Sequence, residues 1–79
     1  MKGLPLHKVR AYRFKQRIGR SKRIGYVIAE NLWDARKLIK KKGIRLVTRL
    51  EFHKSLFIVS DEKKVAPKLA SERWIEKGP

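Results

Sequence analysis

The stretch Ile24-Gly25-Tyr26-Val27-Ile28-Ala29-Glu30-Asn31-Leu32-Trp33-Asp34-Ala35-Arg36-Lys37-Leu38-Ile39-Lys40-Lys41-Lys42-Gly43 changes its hydrophobic period halfway along. Across 23–30, Ile24, Tyr26 and Ile28 alternate with Gly25, Val27 and Ala29, the period of two that marks a strand. From Leu32 onward, Leu32, Ala35, Leu38 and Ile39 fall at spacings that stack on one side of an α-helix. Asn31 stands at the switch, a short polar side chain able to accept from first-turn amides, and Asp34 sets a carboxylate near the positive helix end. Lys40, Lys41 and Lys42 suit the negative end, and Gly43 supplies the left-handed terminator. The spacing predicts a helix over 32–42 entered directly from a strand.

Upstream, residues 7–15 read as a first strand. Val9 and Ala11 share one face while Tyr12 and Phe14 share the other, so either both faces are covered or a bulge changes the phase midway. Residues 16–22 form a connector that contains Gly19 and three basic residues, making a β-hairpin with a basic tip. Residues 1–6, with Gly3 and Pro5, read as a loose lead-in.

Downstream of Gly43 the period returns to two. Ile44, Leu46, Thr48, Leu50 and Phe52 point one way, and Arg45, Val47, Arg49 and Glu51 the other, a half-buried strand with a basic outer face. His53-Lys54-Ser55 is expected to turn the chain into a short fourth strand, Leu56 to Val59. Residues 60–66 make a polar break, after which Pro67 opens a last helix through Lys77 with Leu69, Ala70, Trp74 and Ile75 as its apolar set. The reading is one α+β domain over residues 1–79: a small sheet in the order β-β-α-β-β, one packed helix, and a short C-terminal helix.

Charge bounds the function. The 79 residues carry 22 Lys plus Arg against 7 Asp plus Glu, a formal net charge of +15. The first acid is Glu30. Apolar residues still make up 42% of the chain and recur in strand-like and helix-like runs, which argues for a folded core inside a charged coat. A compact protein of this mass exposes roughly 5,000 Å². So dense a positive coat favours a polyanionic partner.

The longest clean apolar run, Leu56 to Val59, is far short of the about eighteen residues that cross a bilayer. The cation-rich start lacks the apolar core of a secretory signal and reads as strand, not as the amphipathic helix of a transit peptide. With no cysteine for disulfides, a reducing cytoplasmic setting is expected, in association with a nucleoid or a ribonucleoprotein.

The candidate site is a set of cations from three elements. Arg17, Arg20, Lys22 and Arg23 stand at the hairpin tip; Arg36, Lys37, Lys40, Lys41 and Lys42 on the helix; Arg45 and Arg49 on the third strand. If they converge they form a phosphate-binding surface, because each cation near a phosphate releases condensed counterions. Tyr12, Tyr26 and Trp33 could add stacking, whereas Phe14, Phe52 and Phe57 read as packing residues. The expected activity is non-catalytic nucleic-acid binding, with RNA in a ribonucleoprotein ahead of DNA. The chain carries no cofactor motif and no metal-ligand spacing.

Two other classes compete. A protein-binding module, as an inhibitor or assembly subunit, would use Trp74 and Ile75 on the terminal helix as its anchor. A small metal-independent ribonuclease would gather Arg49, Glu51 and His53 on one strand face. A membrane surface is a poor partner, since the cations of the first helix crowd at one end.

Overall fold

The computed structural model describes residues 5–77. The elements are β1 (Leu6–Ile18), β2 (Ser21–Ala29), α1 (Leu32–Lys41), β3 (Val47–Val59), β4 (Lys68–Ala70) and α2 (Glu72–Lys77). The strands form one antiparallel sheet in the order β3-β1-β2-β4, with α1 packed on it and a short C-terminal helix. The α+β architecture anticipated from the sequence is present.

The β1–β2 hairpin is tighter and longer than the sequence suggests. Ile18 pairs with Ser21 across a two-residue turn, and Gly19 takes a φ of 57°, the left-handed conformation that tight hairpin turns need at a central position. Leu6 already belongs to β1, so the lead-in expected over 1–6 is shorter, and its residues 1–4 lie outside the described residues.

Both faces of the sheet are covered, which settles the alternation along β1. Val9 and Ala11 pack with Tyr26, Ile28, Leu56 and Ile58 beneath Val65 and Ile75. On the opposite face Tyr12, Phe14, Val27 and Ala29 pack beneath Ala35, Leu38 and Ile39 of α1. The sheet is thus sandwiched between α1 on one side and α2 with the segment leading to it on the other.

At the start of α1, the Asn31 side-chain oxygen accepts from the Asp34 backbone N–H at 2.9 Å. At its end Gly43 has a φ of 70°, and Lys42 N–H donates to the Leu38 carbonyl at 2.9 Å. The Asp34 carboxylate, largely buried, also receives Lys64 at 3.2 Å, which ties the helix start to the segment after β3.

The sequence reading fails at β3. No turn occurs at 53–55; a single strand runs from Val47 to Val59 along β1. Ala11 pairs with Lys54 but Tyr12 with Phe52, which leaves His53 as an extra residue, and Lys15 pairs with Arg49 but Gln16 with Val47, which leaves out Thr48. Each bulge exchanges the faces of everything beyond it. Leu50 and Phe52 therefore lie on the α1 face, while Leu56 and Ile58 lie on the other, although all four are even-numbered. Val47 joins Leu50 beside the α1 cluster instead of pointing away from it. Ile44, Arg45 and Leu46 belong to a loop, not to the strand, with Leu46 exposed at a φ of 58°.

The C-terminal segment also departs from expectation. Lys68 to Ala70 is a strand, not helix: Ala70 pairs with Tyr26 and Leu69 with Val27, long-range partners that outweigh the local helical spacing. The helix begins only at Glu72, where the Ser71 hydroxyl accepts from Trp74 N–H at 3.2 Å. Ile75 is fully buried in the core and Trp74 packs partly against it.

The molecule is elongated, 53 × 24 × 16 Å between Cα extremes, and exposes 6262 Å². That exceeds the area of a compact body of equal mass and spreads the surface charge along one axis. Among the described residues no helix is long and apolar enough to cross a membrane.

Candidate nucleic-acid interface

The hairpin tip, the end of α1 and the start of β3 meet at one end of the long axis. Arg17 N–H donates to the Leu46 carbonyl at 3.0 Å, which pins the 44–46 loop against the tip. The Thr48 hydroxyl donates to the Lys15 carbonyl at 3.4 Å, so the bulged residue of β3 is held on β1. A shallow cavity beside this contact is lined by Arg17, Arg20, Ser21, Lys22 and Thr48.

Two further depressions link the tip to α1. Arg36 and Lys40, one helical turn apart, line a groove with Thr48 and Arg49 of β3. On the other flank Arg23 and Lys42 line a cleft with Phe14, Gly25 and Ile44. All eleven cations singled out from the sequence are exposed. Arg17, Arg20 and Lys22 come together, as do Arg36, Lys40 and Arg49, and Arg23 with Lys42. Lys41 shares the helix end with Lys42, Arg45 sits in the pinned loop, and Lys37 lies one turn earlier on α1.

Two cations missed in the sequence belong to the same end. Arg13 and Lys15 continue the face of Val9 and Ala11 beyond the reach of α2, and their cross-strand neighbours are Tyr26 and Glu51 for Arg13, Ile24 and Arg49 for Lys15. Alternation from Ala11 was the available signal; Tyr12 and Phe14 obscured it by marking the opposite face as core. The Arg13 Nε is buried and has no hydrogen-bond partner among the described residues.

The charge distribution is lopsided. Arg13, Lys15, Arg17, Arg20, Lys22, Arg23, Lys40, Lys41, Lys42, Arg45 and Arg49 amount to half of the chain's 22 cations, and they share their end with a single acid, Glu51. The other six acids stand elsewhere: Glu30 and Asp34 at the start of α1, Asp61 and Glu62 after β3, Glu72 and Glu76 in α2.

Stacking groups are scarce there. Tyr12 and Tyr26 are buried in the two core layers, and Tyr26 carries the His53 ring 5.2 Å from its own. Trp33 is 71% exposed, with the Arg36 guanidinium 5.8 Å from its ring centre. Phe52 and Phe57, read from the sequence as packing residues, are instead about half exposed along β3. Arg49, Glu51 and His53 do share a face, but Arg49 and Glu51 meet each other at 3.8 Å while His53 lies on Tyr26. No family model matches this chain, and neither the curated proteins nor the solved structures contain a significant match to it.

Proposed function

We propose that this domain binds nucleic acid without catalysis, gripping phosphates with the basic end of the sheet. The supporting observation is the gathering of half the cations, with one acid, where the hairpin tip, the end of α1 and the start of β3 meet. Such a surface recruits a polyanion through counterion release, and the burial of Tyr12 and Tyr26 leaves phosphate contact, not base stacking, as its main resource. RNA in a ribonucleoprotein is the first candidate and DNA the second; small basic domains draw part of their order from such scaffolds. A cytoplasmic setting, on a ribonucleoprotein or nucleoid, goes with this reading.

The test is a titration of labelled structured RNA, duplex DNA and single strands over a range of salt. Log affinity should fall linearly with log salt, at a slope equivalent to about four to eight phosphates. Binding indifferent to salt, or no binding to any of the three, overturns the proposal.

A further inference from the structure

β3 is an edge strand: β1 occupies one side, and among the described residues no strand pairs with the other. Its two bulges lie at Thr48 and His53, so Lys54 to Val59 runs in unbroken register, a straight edge of free backbone donors and acceptors. Natural edges are guarded against pairing by bulges, prolines or charge, and 55–59 has none of these. The same stretch carries unpartnered apolar side chains on the α1 face beyond the reach of α1. Phe57 is 52% exposed, Val59 60%, and Leu6, directly across from Val59, 63%.

We infer that this edge pairs with the same edge of a second copy, antiparallel about a two-fold axis centred on Phe57, making one continuous sheet through both molecules. An isologous pair of this kind sets the apolar residues of the two copies side by side on one face. Charge favours a copy of this chain as the occupant. With the axis at that position, His53 of each molecule lies across from Asp61 of the other and Lys54 is diagonal to Glu62, a complementarity that operates twice. The antiparallel arrangement also sends the two hairpin tips to opposite extremes of the assembly. The strongest like-charge repulsion is thereby minimised.

The full chain, free of nucleic acid and at high salt, is examined by sedimentation from about 1 µM to about 1 mM, the range over which a weak to moderate pair dissociates. The expected mass at the upper end is twice 9.3 kDa. The double substitution Phe57→Lys with Val59→Lys, at positions exposed in the single chain, should leave the circular dichroism unchanged and weaken association at least about tenfold. Because the chain has no cysteine, Ser55→Cys carries one spin label, and the axis position places the two labels about 20 Å apart or less. A label at Ser21→Cys on the tip should show no such short distance. A monomer throughout the range overturns the inference, as does a dimer insensitive to the double substitution or one whose short distance arises at the tip.

Discussion

The far end of the Phe14 ring of β1 lies over Gly25 of β2: a Cβ built at Gly25 would meet the Cζ, Cε1 and Cε2 atoms of the ring well inside van der Waals contact. Glycine stands there for want of room, since its backbone is ordinary strand. The ring closes the lower end of the α1 layer, next to the cleft between Arg23 and Lys42. Gly25→Ala should therefore cost about 1–3 kcal/mol of stability through overpacking. Urea unfolding measures this, and a midpoint equal to wild type would show that the ring yields freely.

Ile75 anchors α2 from within the core layer it shares with Val9, Ile28 and Ile58. Ile75→Ala should cost about 2–5 kcal/mol, a large share of the stability of so small a domain. Trp74→Ala, at a partly buried site, should cost less. The reverse order in urea midpoints would mean that the tryptophan holds the helix.

The hairpin and α1 were legible in the sequence because their signals are local: alternation over Ile24 to Ala29, a cap at Asn31, a terminator at Gly43. β3 was not, because Leu50, Phe52, Leu56 and Ile58 all keep even numbers while the bulge at His53 turns the two pairs to different faces, and bulges are fixed by pairing with β1. Leu69 and Ala70 were misread for a related reason, their strand existing only against Val27 and Tyr26. The cations of the interface were legible by type; their assembly at one end depends on Arg17 holding Leu46, a contact between residues 29 apart that no local pattern announces.

Lys40, Lys41 and Lys42 form the helix side of the basic end. Their joint replacement by Gln should flatten the salt dependence of nucleic-acid binding by up to about two to three units of log–log slope. The helix itself should lose only a fraction of its stability, that due to its terminal dipole. A slope equal to wild type would remove the end of α1 from the surface.

Glu51 is the one acid among these cations, and it occupies Arg49 at 3.8 Å. Both side chains are well exposed, so the pair contributes little to stability. Glu51→Gln should raise nucleic-acid affinity by up to about fivefold at low salt, with the gain fading as salt is added. Weaker binding in this variant would count against the surface.

His53 rests on Tyr26 and Glu51 is taken up by Arg49. Prolonged incubation with labelled RNA should leave the RNA intact for both wild type and His53→Ala. Cleavage by wild type that disappears in the variant would turn the binding surface into the substrate groove of a ribonuclease.

The 53 Å long axis carries its charge unevenly, one pole almost purely cationic and the remainder mixed. A body built this way feels a torque in the field of any polyanion, so it rotates tip-first during approach, before any atom touches. The search over orientations is then biased toward the tip, and that bias is written into where the sequence places its few carboxylates, not into how many lysines it holds.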